Sequence, residues 1–480
     1  MRTINLLHRQ VYIKMEKKKF LKNLLYAFYA QGVSYLTSAL ISLVVPKLLG
    51  VEKFGYWQLF LLYASYAGLA DLGLSEGIYL KYGGKDRKEI NRKSVSNQFR
   101  IYFIVETVFS IALLFLALTL DIPNRSFVIA CTGVYLLIVN LSSYMYYLLQ
   151  AINETQRYSL AVIVSKIAFV VALVPLLILQ VREFEPYLVF YVAAQGASLV
   201  YCFHYCKDLI CAEHGSLREE LRDAVASIRI GYKLLIANLT STLVMGIARM
   251  MVDSAWGIET FGQLSLAFTL CNFFLQCVYQ FSMVLFPALR RLSDEKLGGF
   301  YHAAQTVLNA FLPFIFVAYY PVALFVNYWL PAYDSVALYF SMLIPVCIFD
   351  GRMDILGNTF LKVIRKERLL MDINVITVLV GSAFLALSAY VFHSLDLVIW
   401  SLVLVIISRC IFTETYIAKQ LSLTPNLLAW TSLAVTLIFL FLTDYAGVSV
   451  SSFIVTAIAV VLSLLVNREH VSNAISLLRS

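Results

Sequence analysis

Apolar residues run along this chain in blocks of roughly 18 to 25, divided by short polar breaks, and they do not alternate with a period of two. A helix needs ~20 such residues to cross a ~30 Å hydrocarbon layer. Only helices and closed barrels satisfy every backbone hydrogen bond in lipid, and barrel strands would read as ~10-residue alternating segments. The pattern therefore predicts an all-α polytopic membrane protein. Fourteen spans follow, at residues 24–46, 56–79, 99–120, 127–150, 158–180, 187–206, 231–252, 262–287, 301–327, 336–361, 369–392, 395–418, 426–443 and 449–466.

The breaks between spans alternate in charge. "MEKKKFLKN", "KYGGKDRKEINRK", "LREELRDAVASIRIGYK", "LRRLSDEK" and "KVIRKER" are basic; "PNR", "EFEP", "WGIETFG", "PAYDS", "HSLD" and "TDYAG" are short and acidic or neutral. Of the 38 Lys and Arg residues, 28 fall on the amino-terminal side, 4 on the other and 6 inside spans, two of these six (Arg100 and Lys233) at span ends on the amino-terminal side. The positive-inside rule then places both termini in the cytoplasm. The formal net charge of +9 is accordingly a topology signal. Spread over many loops, it lacks the single basic face that nucleic-acid binding needs. The first span follows a basic stretch but is too long for a signal-peptide core. Met15, opening "MEKKKFLKN", reads as a natural start, with residues 1–14 an upstream extension.

One short motif occurs twice. "GVEKFGYWQL" at Gly50–Leu59 returns as "GIETFGQLSL" at Gly257–Leu266, each between the first and second span of a six-span set. Six crossings is an even number, so the second set enters the membrane in the same direction as the first. The chain reads as two parallel-repeat six-helix lobes plus two extra C-terminal helices, related as in two-lobed transporters with a central cavity. Its parts are a basic N-terminus (1–23), an N-lobe (24–206), a connecting loop (207–230), a C-lobe (231–418), and the last two spans with the C-terminus (419–480). The 207-residue offset also pairs Gln31 with Asn238 and Ser34 with Ser241, polar groups inside spans that either bond between helices or line a wet cavity.

"LLGVEKFGYWQLF" followed by "LADLGLSEGIYLKYGGK" resembles the Wzx-type polysaccharide flippases of the multidrug, oligosaccharidyl-lipid and polysaccharide exporter superfamily. The resemblance is most specific over residues 20–100. It implies alternating-access transport of undecaprenyl-diphosphate-linked oligosaccharide across the bacterial plasma membrane, for O-antigen, capsule or exopolysaccharide. The partners it implies are the lipid-linked substrate, membrane lipids, and polymerase and chain-length machinery. Many such flippases have twelve spans; the two extra ones resemble the arrangement in lipid II flippases.

Ionisable residues within spans each cost roughly 2.5–3.5 kcal/mol at the bilayer centre, and should face a cavity or one another. A substrate carrying a diphosphate calls for guanidinium or ammonium groups. Arg249, Lys166 and Arg352 are the candidates for head-group contact, with Gln31 and Asn238 as polar cavity groups. Buried ion pairing is the competing role for each cation. Asp350 and Asp354, one helical turn apart on one face, are the best pair for a coupling proton or sodium ion; Asp71 and Glu106 are further candidates, and Asp71 in "DLGLSEG" also suits a helix end. A long side chain on the span that carries Arg409 and Glu414 can snorkel to the cytoplasmic interface, whereas a buried ion pair that fixes helix packing is the expected role of Arg409.

An ion-coupled multidrug or cation antiporter would share this architecture and use the acids without a cationic lining. A glycosyltransferase would need a sizeable outer domain, whereas the outer connections are short, and no P-loop, G-x-S-x-G, H-E-x-x-H or Rossmann pattern is present. Neither enzymatic activity nor a cofactor is expected. The eight cysteines include no C-x-x-C pair, so neither disulfides nor a metal site are expected.

Overall fold

In the computed structural model the backbone is described for residues 2–212, 215–289, 294–421, 423, 428–466, 468 and 471–472. Side chains are described within these from residue 26, except 27, 28, 237–239, 241, 280–288, 294, 295, 428–430 and 466. Asn238 and Ser241 thus lie outside the described side chains. Every regular element among the described residues is helical. Ten helices are long and apolar enough to cross a membrane, and two shorter apolar ones lie at 431–446 and 450–465. Two of the ten bend back on themselves, so the helices supply the fourteen crossings of the hydropathy pattern.

The bends are the repeated motif. α1 (Arg2–Ser65) leaves helical geometry at Gly50 (φ 73°, ψ 175°), and α7 (Leu217–Leu289) does so at Gly257 (φ 83°, ψ −178°). That backbone region is essentially closed to residues with a Cβ. Nothing lies within 4 Å of where a Cβ would stand at either glycine, so conformation and not space demands Gly. Glu52 and Glu259 are exposed, while Phe54 and Phe261 are fully buried. We expect Gly50→Ala and Gly257→Ala each to lower stability by about 1–3 kcal/mol, read as matched shifts in thermal unfolding. A shift confined to one of them would show that the two bends are not equivalent.

The chain forms two compact units, residues 1–239 and 240–480. In the first, α1 is followed by α2 (Leu74–Tyr82), α3 (Arg92–Leu118), α4 (Pro123–Ala151), α5 (Thr155–Ile178), α6 (Glu185–Ile210) and the start of α7. An aromatic core holds one end: Trp57 stacks on Phe169 (centroids 6.0 Å), and Tyr191 meets Trp57 (5.6 Å) and Phe60 (5.8 Å) edge-on. Around α2 and the adjoining ends of α3, α4 and α6, Tyr82, Tyr102, Tyr144, Leu148, Cys202 and Cys206 form a second core.

The predicted second span, 56–79, is not one helix. It stops at Ser65, passes through a 3₁₀ turn at Ala67–Leu69 and left-handed Leu72 (φ 56°) and Gly73 (φ 87°), and resumes as α2. Asp71 accepts a hydrogen bond from the Ser75 amide (3.0 Å), satisfying one of the free N–H groups that open α2.

Behind the break, α2 crosses the first segment of α7 at backbone contact. A Cβ on Gly77 would stand 2.0 Å from the Ser227 carbonyl oxygen, and one on Gly231 would stand 1.9 Å from that of Gly73. Gly73-x-x-x-Gly77 and Ser227-x-x-x-Gly231 are therefore a small-residue crossing of the kind membrane helices use to approach closely. Polar contacts anchor the same segment to α3: Ser227 Oγ donates to Gln98 (2.5 Å), Asn97 to Asp223 (3.2 Å), and Arg100 pairs with Glu220 (3.1 Å). Lys93 pairs with Glu219, whose carboxyl its hydrogen bond and charge hold below the usual range.

The second unit contains the rest of α7, α8 (Asp294–Phe311), α9 (Phe314–Trp329), α10 (Val336–Arg352), a π-helical turn (Met353–Asn358), α11 (Thr359–Val363), α12 (Glu367–Ala386), α13 (Leu395–Gln420), α14 (Leu428–Ala446) and α15 (Val450–Val466). The last two pack inside this unit: Phe439 stacks on Phe316 (4.5 Å), and the Tyr320 and Thr456 hydroxyls bond at 2.9 Å.

Candidate functional site

Three groups of polar side chains lie inside the helices. The first joins α10 to α13. Arg352, 2% exposed, donates from Nε to Glu414 Oε1 (2.9 Å) and from Nη2 to Oε2 (2.6 Å), and Gln305 of α8 adds a third donor to Oε2 (3.0 Å). One turn away Arg409 pairs with Asp350, whose other oxygen accepts from the Tyr279 hydroxyl (2.8 Å). Arg409 and Glu414 are 7% and 5% exposed. Both are held by partners on α10, the buried ion pairing expected for Arg409. Arg352 is thus held within a two-point ion pair. Asp354 lies at the start of the π turn, where it accepts from Asn358 (3.1 Å).

The second group lies at the break before α2. Asp71, Glu76 and Glu106 are 6%, 5% and 0% exposed. Asn140 of α4 donates to Glu106 Oε2 (2.8 Å) and to the Ala67 carbonyl (2.9 Å), tying α3 to the break. Glu106 Oε1, Glu76 Oε2 and Ser75 Oγ have no hydrogen-bond partner. Glu76 was missing from the sequence-derived candidates, although it stands in the "DLGLSEG" stretch that singled out Asp71.

The third group lines two depressions, one in each unit. Lys166 and Ser165 of α5, Thr37 of α1, and Tyr191, Ala194 and Gln195 of α6 border a narrow cleft of about 10 Å³, room for roughly one water. Among the described residues Lys166 pairs with no carboxylate. In the second unit a groove of about 650 Å³ runs between α12 and α13, walled by Ile373, Val380, Phe384, Leu404 and Phe412, with Thr377, Ser401, Ser408 and Arg409 as its polar points.

Arg249 is half-buried on α7, donating from Nε to Ser265 (3.0 Å) and lying over the rings of Phe261 (5.4 Å) and Phe268 (6.0 Å). Gln31 is half-buried on α1. The structure thus joins Arg352 and Asp350 to α13, joins Asp71 to Glu106 across the α2 break, and leaves Lys166 in its own cleft. Among the described residues no three His, Cys, Asp or Glu side chains assemble as a metal site.

Bent first helices, a broken second one and a groove between helices mark the fold. Solved structures share it. An inward-facing multidrug resistance MATE family transporter of the MOP superfamily aligns with TM-score 0.61 at 13% identity, over 81% of this chain and 94% of that one. The lipid II flippase MurJ, inward closed, also aligns with TM-score 0.61, at 12% identity over 93% and 98%. A MOP superfamily transporter from Pyrococcus furiosus aligns at 0.51, with 14% identity over 85% and 96%. No curated protein sequence matches significantly. The profile of the polysaccharide biosynthesis protein family matches residues 20–293, more than half the chain. The chain belongs to that family, and it is a multi-pass membrane protein with the fold of those solved structures.

Proposed function

We propose that this protein is a flippase carrying undecaprenyl-diphosphate-linked oligosaccharide units across the bacterial plasma membrane, for O-antigen, capsule or exopolysaccharide assembly, with both termini in the cytoplasm. The observation that carries the reading is the α12–α13 groove. It is apolar along its length, which suits the hydrocarbon part of an amphiphile; its one guanidinium, Arg409, is paired with Asp350 and fixes the wall. In the C-terminal unit Asp350 and Glu414 are already neutralised by Arg409 and Arg352, so they offer little to a cationic drug. Lys166, without a carboxylate partner, and Arg249 are the cations to contact phosphate oxygens. Arg352 orders α10 against α13, a positioning role. Delivery of the flipped unit to polymerase and chain-length machinery belongs to the same proposal.

The test is full-length protein in proteoliposomes containing a fluorescent undecaprenyl-diphosphate oligosaccharide, with outer-leaflet exposure read by an impermeant quencher. Protein-dependent exposure is expected. Lys166→Ala and Arg249→Ala should slow it roughly ten- to a hundredfold, the loss of one charge-assisted hydrogen bond of about 1.5–3 kcal/mol, with membrane insertion unchanged. The unpaired acids of the first unit favour a second reading, an ion-coupled multidrug or cation antiporter. Passage of a cationic dye with no movement of the lipid-linked glycan would establish it instead.

A further inference from the structure

The first segment of α7 sorts its residues by face. At ~100° per residue, Glu220, Ala224, Ser227 and Gly231 share one arc, and all four are buried in the first unit. Leu217, Leu221, Val225 and Tyr232 fall in the adjoining ~80°, and all four are exposed. Arg218, Arg222, Arg229 and Lys233 fill the ~60° beyond them and are exposed as well.

Charge is sorted in the same way. Glu219 pairs with Lys93 (3.0 Å), Glu220 pairs with Arg100 (3.1 Å), and Asp223 accepts from Asn97 (3.2 Å), so α3 holds all three acids. Among the described residues none of the four basic side chains of the outer band forms an ion pair. Arg222 is close enough to Glu219 to act on its charge, but Lys93 is the partner of that carboxylate. An open apolar stripe bordered by unpaired cations is the pattern of a helix lying in a lipid interface.

The contacts with α3 set the level of the segment. They run from Lys93 to Arg100, and the third span of the hydropathy pattern begins at residue 99. At ~1.5 Å per residue they therefore lie within about 9 Å of the hydrocarbon edge. Head groups occupy that zone, since they add ~5–7 Å to each side of a ~30 Å core. A soluble protein docking there would have to displace them, so lipid is the occupant that fits both the position and the charge.

We propose that residues 217–233 form a binding site for anionic phospholipid. Leu217, Leu221 and Val225 enter the acyl boundary, and Arg218, Arg222, Arg229 and Lys233 hold phosphate oxygens. Guanidinium groups grip phosphate through paired hydrogen bonds, while their stems lie along the apolar stripe. Ser227 and Gly231 meet α2 at backbone contact, so lipid bound here also holds the α2 joint at the membrane surface. Neither cation assigned to the transported substrate, Lys166 or Arg249, takes part. The site can therefore fail while flipping is intact, and hold if flipping is absent.

The experiment is native mass spectrometry of the full-length protein titrated with phosphatidylglycerol or phosphatidylcholine, together with fluorescence in bilayers of brominated phosphatidylglycerol. Wild type should retain its first phosphatidylglycerol several-fold more tightly than phosphatidylcholine. Arg218→Gln and Arg222→Gln should each weaken that retention roughly fivefold, the ratio given by ~1 kcal/mol per basic residue near an anionic surface. Arg182→Gln, the same charge change at an exposed residue between α5 and α6, should leave it unaltered. In the bilayers Leu221→Trp should add emission that the bromines quench, and Ala226→Trp, at an exposed position beyond the basic band, should add emission that they do not. Equal retention of the two lipids by wild type would overturn the site without recourse to any variant, as would equal losses in Arg182→Gln and Arg222→Gln. Unquenched emission from Leu221→Trp would show that water or protein covers the apolar stripe, and would overturn the lipid as its occupant.

Discussion

Replacing Arg352 with alanine should destabilise the second unit by about 3–5 kcal/mol, because it strands Glu414 as a buried charge with no counterion. Arg352 supplies two of the three hydrogen bonds that its carboxylate receives from Arg352 and Gln305, and both partners of the pair are almost fully buried. The diagnostic measurement is the double replacement Arg352→Met with Glu414→Leu. Removing both charges removes the desolvation cost along with the attraction, so the double variant should recover most of the lost unfolding temperature and be equal to or above wild type. If Arg352→Ala unfolds like wild type, the pair is solvated in the membrane and the depth assigned to α13 is wrong. If the double variant is as unstable as the single, the cost comes from packing volume and not from charge.

Gly77→Val should be comparably damaging, for a reason unrelated to charge. Its Cβ alone would overlap the Ser227 carbonyl oxygen, a backbone atom that cannot rotate away, so α2 and α7 must separate. Overpacking of this kind costs about 1–3 kcal/mol and occasionally more, and at 2.0 Å from backbone the upper end is expected. Separation would also expose Ser227, Gln98 and the polar contacts of residues 219–223. Chemical denaturation of the purified protein, with protease sensitivity of residues 211–235 as a local probe, should report both effects. Gly68→Ala, at a glycine with no atom near its would-be Cβ, is the control and should be near neutral. Equal stability of Gly77→Val and Gly68→Ala would remove the crossing as a structural joint.

The hydropathy pattern read the membrane crossings well because lipid imposes one rule on every span: length and apolarity at ~1.5 Å per residue. The recurring G-x-E-x-F-G was legible for a similar reason. A backbone with φ near +80° and ψ near 180° leaves little choice but glycine, so the conformation leaves its mark in the residue itself. Rotation and partner choice were not legible. Ion pairing was the expected role of Arg409, but its partner, Asp350, lies 59 positions away in sequence and was not named.

By itself the sequence determined that this is a polytopic helical protein with fourteen crossings, bent twice at equivalent glycines, and that a handful of charges must live inside it. Which charges neutralise one another, which three acids are left without a base, and which glycines touch were decided only by tertiary packing. The physical reason is range. Burial and backbone strain act on each residue where it stands, whereas ion pairs and backbone contacts depend on the rotation and tilt of helices tens to more than a hundred residues apart.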